Sequence, residues 1–218
     1  MNEDALKWEI LNRRTILHTP VYDVLAQKER SADGLEGEYV AIQAPDWVMT
    51  IPVWQGQFVL ARQWRHSAER LTLEFPGGVR DADEDPAETA RRELLEETGF
   101  RVGRLTKLGA VNPNPALFKN TFHVYLAEEL EPTGTQSLDE DELLTWETRP
   151  VDEVLAAWGS PEFCHGLMGT ALASYLLRRQ GDGRHEHLRL RLSARPFGPA
   201  LLGDDRSLYG PVPSDRPS

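Results

Sequence analysis

The stretch GGVRDADEDPAETARRELLEETGF, residues 77–100, has the most complete set of helix signals in the chain. Asp85 is a typical N-cap residue, Pro86 occupies the first helical position, and Glu88 completes a capping-box pattern. Gly99 is the residue type that ends helices in the left-handed conformation. The pattern therefore predicts a helix that starts after Asp85 and ends before Gly99.

Three glutamates on this helix suggest a chemical role. Glu93, Glu96 and Glu97 stand three and four positions apart, so their carboxylates project from one face. Like charges this close destabilise a helix unless a cation offsets them, and Arg92 can pair with Glu96 but cannot serve all three. A hard divalent cation can, because Mg²⁺ and Mn²⁺ prefer carboxylate oxygens. An ordinary solvated acidic helix is the competing interpretation of the glutamates alone.

The complete pattern distinguishes these two interpretations. Gly78, five residues, Glu84, seven residues and then RELLEETGF at residues 92–100 match the Nudix box at every defined position. The chain thus resembles a Nudix hydrolase over residues 5–180. Such enzymes hydrolyse a nucleoside diphosphate linked to another moiety and use Mg²⁺ or Mn²⁺. The resemblance implies a Nudix-type α/β/α sandwich with a mixed β-sheet.

The rest of the sequence, with mixed strands around a few helices, predicts an α+β or α/β sandwich, of which we take α+β as the fold class. Strand-like segments, each rich in β-branched or aromatic residues and bounded by turn residues, are Tyr39–Ala44, Trp47–Val53, Phe58–Gln63, Leu71–Phe75, Arg104–Val111 and Thr121–Ala127. Further helices are expected near Asp152–Trp158 and from Glu162 to about Gln180. The run LRLRL at 188–192 could add an edge strand.

The resemblance also implies roles for individual residues of the box. Its metal ligands would be Glu93, Glu97, Glu96 (as a ligand or a holder of water) and, through its carbonyl oxygen, Gly77. Glu84 would help to orient the site. Arg92 would lock the glutamates in place by ion pairing.

Two stretches outside the box resemble ADP-ribose pyrophosphatases in particular. RQWRH at 62–66 and LTLEFPGG at 71–78 resemble their Gln-aromatic-Arg strand and the turn after it. The resemblance implies that Arg65 and its neighbour Trp64 contact the substrate. Glu74 would be a supporting or metal-site acid. Pro115 lies near the place where relatives acting on ADP-sugars keep a proline, but the surrounding NPNPALFKN departs from their Ser-Pro-Gly version.

The N-terminal stretch WEILNRRTILHTPVYDV, residues 8–24, resembles the small strand-rich extension through which ADP-ribose pyrophosphatases dimerise. The resemblance implies a homodimer in which Trp8 or Trp47 stacks on a nucleobase, with plain core or interface packing as the alternative for each tryptophan. The predicted organisation is an extension at 1–45, a hydrolase domain at 46–180 and a Pro/Gly-rich tail at 181–218.

The catalytic base is expected outside the box. In related enzymes it often comes from a mobile loop late in the fold, and SLDEDELLTW at 137–146 is the counterpart here. Glu142 is the first candidate and Glu140 the second, with a solvated acidic loop as the competing interpretation. No histidine is chosen as base or ligand, because His66, His123 and His165 lack a second histidine at metal-ligand spacing.

Composition limits the classes of partner. The chain has 35 acidic and 24 basic residues and a net charge of −11, which disfavours binding to nucleic acid or an anionic membrane. The acidic excess is concentrated in two segments. Residues 78–100 contain eight acidic and three basic residues, and residues 128–147 contain eight acidic residues and no basic residue. The single cysteine, Cys164, excludes an internal disulfide. The N-terminus has no basic-then-apolar leader, so we expect a cytoplasmic protein.

The sequence therefore predicts Mg²⁺-dependent hydrolysis of the diphosphate linkage of ADP-ribose or a related nucleoside diphosphate sugar. A different diphosphate, such as GDP-mannose, a dinucleotide or a flavin compound, is the alternative within the enzyme class. A non-catalytic nucleotide sensor is disfavoured, because such proteins usually lose the box glutamates that this chain keeps. RNA decapping is disfavoured by the acidic composition.

Overall fold

The N-terminal part of the chain forms a separate three-stranded sheet. A computed structural model describes residues 3–139 and 142–181. After a short 3-10 turn at Glu3–Leu6, the strands are β1 (Trp8–His18), β2 (Asp23–Ser31) and β3 (Glu36–Gln43). Neighbouring strands pair antiparallel in the order β1-β2-β3. The expected strand-rich extension is therefore present.

The main sheet is mixed. Its strands and a small separate pair are β4 (Trp47–Trp54), β5 (Gln57–Arg65), β6 (Arg70–Glu74), β7 (Gly77–Val79), β8 (Phe100–Arg101), β9 (Arg104–Val111), β10 (Phe122–Glu128), β11 (Glu131–Pro132) and β12 (Leu144–Pro150). The order is β12-β5-β4-β10-β9, with β6 on β5 and β7 on β4, while β8 and β11 pair with each other. β10 runs parallel to β4, and the other pairs of the sheet are antiparallel.

β4 and β5 diverge along their length, and the candidate site lies where they diverge. They pair at Val53–Phe58 and Trp54–Gln57, and beyond these residues β6 pairs with β5 while β7 pairs with β4. Segment 70–79 thus fills the fork between the two strands. At Gly77 a Cβ atom would stand 2.8 Å from the Cα of Met49, a distance that real Cβ atoms do not adopt. A glycine is therefore required where β7 meets β4.

In the described part of the chain, three helices cover the sheet: α1 (Pro86–Thr98), α2 (Val151–Ala157) and α3 (Gly166–Gly181). The predicted ends of α1 are confirmed, since the Asp85 carboxylate accepts a hydrogen bond from the N–H of Ala87 at 2.8 Å and Gly99 has a φ of 70°. Glu88, which the sequence predicts to complete a capping box, instead has its carboxylate 3.6 Å from the side chain of Arg91. The N-terminal cap of α1 therefore depends on Asp85.

Alternate side chains of the strands pack against helices on opposite faces. Met49 and Ile51 of β4 belong to a core cluster that includes Met168 and Ala171 of α3. Val48 instead packs in a cluster with Ala90 of α1 and Tyr125 of β10. Because adjacent residues of a strand face opposite sides, the sheet lies between α1 and α3. The predicted α+β class with helices on both faces of a mixed sheet is confirmed.

One predicted boundary needs correction. The last helix begins at Gly166 rather than at Glu162. The carbonyl oxygen of Glu162 accepts from the N–H of Leu73 at 2.8 Å, and that of Phe163 accepts from the N–H of Gly159 at 3.0 Å. These carbonyls bond to β6 and to a turn, so they do not start a helix. The possible edge strand at 188–192 and most of the tail lie outside the described residues.

The first compact unit of the chain includes both sheets and extends to Arg178, and a second unit begins at Arg179. Of the second unit, only its first three residues are described. The predicted domain boundaries near 45 and 180 stay predictions. In the described part of the chain, no helix combines the length and the apolar character that crossing a bilayer requires.

Candidate active site

A cavity of about 590 Å³ opens at the fork between β4 and β5. One wall comes from the start of β4, from the glycine turn and from β10. The opposite wall comes from the end of β5, from β6 and from residues 164–167 ahead of α3. Residues lining the cavity include Val21, Trp47, Val48, Met49, Phe122, Gly77, Gly78 and Val79, and across from them Arg65, Thr72, Glu74, Cys164 and His165.

Arg92 organises the acidic face of α1. Its Nε and Nη2 donate to the two carboxylate oxygens of Glu84 at 3.0 and 2.9 Å. Its Nη1 donates to Glu93 at 2.9 Å and to Glu96 at 3.1 Å. Hydrogen bonding from Arg92 lowers the pKa of Glu84 to about 2. One guanidinium therefore connects the loop before α1 to two of the three glutamates on the helix, which exceeds the single Glu96 pair expected from sequence.

The Glu93 carboxylate lies directly against the glycine turn. A Cβ atom on Gly78 would stand 2.5 Å from Oε1 of Glu93, so a larger residue there would require the Glu93 carboxylate to move. Burial raises the pKa of Glu93 to about 7, opposed by Arg92 and assisted by the negative charges of Glu96 and Glu142. The side chain therefore has a high affinity for a proton or another cation.

Glu97 is the most deeply buried of the box glutamates. Burial raises its pKa well above the usual range, and the charges of Glu93 and Glu142 add to this effect. The N–H of Gly77 donates to its carboxylate, while Oε2 is buried without a hydrogen-bond partner among the described residues. The charge of Arg65 and the N–H of Gly77 offset only part of the cost of an ionised carboxylate in this position.

The acidic loop that follows β11 is attached to the C-terminal end of α1. The N–H of Ser137 donates to the carbonyl of Glu96 at 3.0 Å, and the side-chain amide of Gln136 donates to the carbonyl of Glu97. These bonds satisfy carbonyl groups that a helix end leaves free. The attachment brings Glu142 close enough to raise the pKa of two box glutamates. Glu140 lies outside the described residues.

Glu74 forms a buried polar cluster on the opposite wall. It is 0% exposed and accepts hydrogen bonds from Nε and Nη2 of Arg65 at 2.9 and 2.6 Å and from Thr72 at 2.6 Å. Nδ1 of His165 lies 2.8 Å from its Oε2. Burial favours the neutral acid, but the contacts with His165 and Arg65 outweigh it and hold the pKa of Glu74 below its usual range. Glu74 is therefore ionised and fixes Arg65 in place.

The structure separates the candidate substrate-binding residues into two groups. Arg65, Glu74 and Trp47 line the cavity. Trp64 and Pro115 do not: Trp64 is 48% exposed and Pro115 lies in an exposed turn. Of these two neighbours in β5, only Arg65 lines the cavity, as expected where adjacent side chains face opposite sides of a strand.

The N-terminal tryptophan also lies outside the cavity lining. Trp8 packs edge-on against Tyr39, which lies in β3 of the same N-terminal sheet, with ring centroids 5.4 Å apart. Trp47 makes a similar contact with Phe118 at 5.4 Å while lining the cavity. Stacking on a nucleobase stays a prediction for both residues, and only Trp47 has a position in the cavity wall.

Two residues with a role in this geometry were not identified from sequence. His165 faces the cavity beside Glu74, and Gln136 anchors the acidic loop. No local signal identifies them, because their partners are far away in the sequence and are brought close only by the fold. A histidine directly before a helix and a glutamine in a polar loop are both common features of surface sequence.

The chain is similar to known proteins of one family. A family model described as "NUDIX domain" matches residues 45–165. The chain is 31% identical over 142 residues to the "ADP-ribose pyrophosphatase" of Bacillus subtilis (strain 168), across 64% of this chain and 77% of that protein. It is 27% identical over 188 residues to the "ADP compounds hydrolase NudE" of Escherichia coli (strain K12), across 84% of this chain and 100% of that protein. A crystal structure of an ADP compounds hydrolase matches with a TM-score of 0.73 and 27% identity, over 82% of this chain and 97% of that chain.

Glu84→Gln is expected to lower the free energy of unfolding at pH 7 by about 1–3 kcal/mol, because it breaks a charge-assisted pair with Arg92. The folded-state pKa of Glu84, about 2, is below the unfolded value of about 4.3. The stabilisation is therefore complete above the unfolded pKa and is lost as the pH falls through the folded one. Urea unfolding should show a difference between wild type and variant that is constant above about pH 5 and shrinks toward pH 2.

Glu88→Gln is the matched control for this experiment. Glu88 is exposed in the first turn of the same helix and lies 3.6 Å from Arg91. Its replacement should change the free energy of unfolding by no more than about 0.5 kcal/mol. A loss in the Glu84 variant that stays the same from pH 7 to pH 2 would contradict the assigned pair.

Proposed function

The chain belongs to the Nudix family and is a Nudix hydrolase, and on this premise we propose that it hydrolyses the diphosphate linkage of ADP-ribose to AMP and ribose 5-phosphate with Mg²⁺ or Mn²⁺. The observation that carries the proposal is the arrangement of the cavity. Arg65 faces it from one wall, and the glycine turn that covers Glu93 faces it from the other. This arrangement suits a diphosphate held between a cationic side chain and a metal ion.

The residues on the α1 side fit a divalent cation. Glu97 has a buried oxygen without a partner among the described residues, and burial gives Glu93 and Glu97 raised pKa values. Carboxyl groups of this kind release their protons when a hard cation binds to the oxygens in place of the protons. Within the described residues no three acidic or other ligating groups are arranged to hold a metal ion. In this arrangement Glu93 and Glu96 are hydrogen-bonded to Arg92.

We assign Glu93 and Glu97 as the principal ligands, with Glu96 and the Gly77 carbonyl as further candidates. A bound metal ion would polarise the phosphate oxygens and offset the charge that develops on them. Arg92 keeps the glutamates oriented by bonding Glu84 and the helix together. These assignments are supported by the burial of the glutamates and by the resemblance of the box to that of the family.

We assign Glu142 as the general base that removes a proton from the attacking water. The loop attachment at Ser137 and Gln136 places its charge near Glu93 and Glu97. A carboxylate held beside the metal-binding glutamates is in reach of a water that a metal ion would also contact, which suits a base. Glu140 stays the second candidate by sequence.

On the opposite wall, Arg65 is assigned to the diphosphate. Its Nε and Nη2 are bonded to Glu74, which leaves Nη1 for a phosphate oxygen. Trp47 is assigned to the nucleobase, because it presents an aromatic surface to the other side of the cavity. Nothing in the cavity supports substrate contacts by Trp64 or Pro115.

The activity is tested with purified protein, Mg²⁺ and a panel of ADP-ribose, GDP-mannose and a dinucleotide. We expect equal amounts of AMP and ribose 5-phosphate from ADP-ribose, with a kcat/KM at least about tenfold above that for GDP-mannose. Glu97→Gln should reduce the rate more than about 100-fold, because it removes a proposed metal ligand. Cleavage of GDP-mannose without cleavage of ADP-ribose would contradict the assigned substrate.

Glu142→Gln tests the base. Its kcat should fall about 100-fold or more, while KM stays within about threefold, because the amide cannot accept the proton of water. Asp139→Asn is the control: Asp139 is exposed in the same loop, and the substitution removes the same charge. A decrease of less than about threefold in the Glu142 variant, or an equal decrease in both variants, would remove Glu142 from this role.

We also propose that the protein is a homodimer formed through the N-terminal sheet. This sheet exposes large apolar side chains, among them Ile10, Ile16, Leu17 and Val40. Such a surface is typical of an interface. A cytoplasmic location and the lack of a nucleic-acid partner stay predictions of the sequence.

Light scattering on the full chain should give twice the 24.6 kDa mass of one chain. Ile16→Glu should shift the protein toward the monomer, because it places a charge on the apolar sheet. Leu177→Glu is the control, since Leu177 is 70% exposed on α3. A monomeric wild-type protein would contradict the proposed interface.

A further inference from the structure

We propose that His165 binds the distal sugar of the substrate, with Nε2 of its ring accepting a hydrogen bond from a sugar hydroxyl. The distal sugar is the one beyond the diphosphate, on the side away from the nucleoside. The inference rests on the proposed function, because it requires a substrate in which a diphosphate joins a nucleoside to a second sugar.

His165 lies in the cavity wall with one ring nitrogen engaged. It immediately precedes α3, and its side chain is 30% exposed and lines the cavity. Nδ1 is buried and lies 2.8 Å from Oε2 of Glu74, although the contact departs from the ideal direction of a hydrogen bond. Nε2 is the remaining polar atom of the ring. It is the atom available to a ligand.

The buried carboxylate determines which nitrogen carries the hydrogen. Glu74 is fully buried, receives three hydrogen bonds from Arg65 and Thr72, and keeps its charge. An ionised carboxylate only accepts hydrogen bonds, so it stabilises the tautomer of His165 with the hydrogen on Nδ1. In that neutral tautomer Nε2 is an acceptor.

An acceptor at this position distinguishes the parts of the substrate. An ionised phosphate has no hydrogen to donate, whereas every sugar hydroxyl has one. Arg65, on the same wall, is a pure donor and suits the phosphate. The Arg65–Glu74–His165 cluster thus presents a donor and an acceptor side by side, which matches a phosphate followed by a hydroxyl-bearing sugar.

The order of residues across the cavity indicates which sugar this is. Trp47 lies on the β4 side, and the glycine turn Gly77–Val79 follows it on β7. Glu74 and His165 lie on the other side, next to β5. With the nucleobase at Trp47 and the diphosphate near the turn, the group that reaches His165 is the distal sugar.

The test measures binding of two ligands that cannot be cleaved, the α,β-methylene analogues of ADP-ribose and of ADP with its terminal phosphate methylated, by calorimetry with Mg²⁺. Both carry the same charge, and a methyl group in the ADP analogue replaces the distal ribose. Wild type should bind the ADP-ribose analogue more tightly. His165→Asn keeps an N–H donor for Glu74 but lacks Nε2, so it should weaken binding of this analogue roughly five- to tenfold while the Kd for the ADP analogue stays within about twofold.

His66→Asn is the matched control, because His66 is exposed and does not line the cavity. It should leave both Kd values unchanged. Equal weakening of both analogues in the His165 variant would mean that His165 acts only through Glu74 and Arg65, and would overturn the proposal. No weakening of either, or a wild type that binds both analogues equally, would overturn it as well.

This experiment separates the two proposals. If wild type does not hydrolyse ADP-ribose but prefers its analogue in a manner that depends on His165, the sugar contact stands and the proposed reaction fails. If wild type hydrolyses ADP-ribose and His165→Asn keeps the preference, only the role of His165 fails. If neither analogue binds to wild type, both proposals are contradicted.

Discussion

The guanidinium of Arg92 is the interaction on which the geometry of the acidic helix depends. It bonds Glu84, which precedes α1, to Glu93 and Glu96 on the helix. Three carboxylates so close together would otherwise repel one another and turn toward solvent. Arg80 supports the same loop by donating to the carbonyl of Glu84 at 2.8 Å. The loop and the helix therefore form one unit that keeps its acidic side chains in a fixed order.

A steric constraint determines where this unit meets the sheet. Gly77 has no room for a Cβ atom because of the β4 backbone, and a Cβ atom on Gly78 would displace the Glu93 carboxylate. Both constraints exist because β4 and β5 separate and β7 enters the fork. The fork thus provides both the cavity and the close contact that buries Glu93. Larger residues at either glycine would push the acidic face away from the cavity.

The features that could be predicted from sequence are those set by nearby residues. The caps of α1 and the acidic face depend on spacings of a few positions, so Asp85, Gly99 and the glutamates could be assigned directly. The start of α3 could not, because the carbonyl of Glu162 bonds to Leu73 in a distant strand. The same limitation applies to His165, whose partner Glu74 is equally distant in sequence. The sequence does suggest that Trp64 and Arg65 face opposite sides of β5, because side chains alternate along a strand. It does not show which of the two sides meets the cavity.

The two acidic segments of the sequence meet at one place, which raises the question of how an anionic substrate is accepted. The N–H of Ser137 bonds to Glu96, so the acidic loop lies against the acidic helix. Buried glutamates there have raised pKa values and attract cations. On the opposite wall the negative charge of Glu74 is already offset by Arg65. Glu74 bonds only Nε and Nη2 of that guanidinium, so the remaining nitrogen can face a phosphate. A diphosphate can therefore enter between an acidic wall that requires a cation and a wall that already presents one.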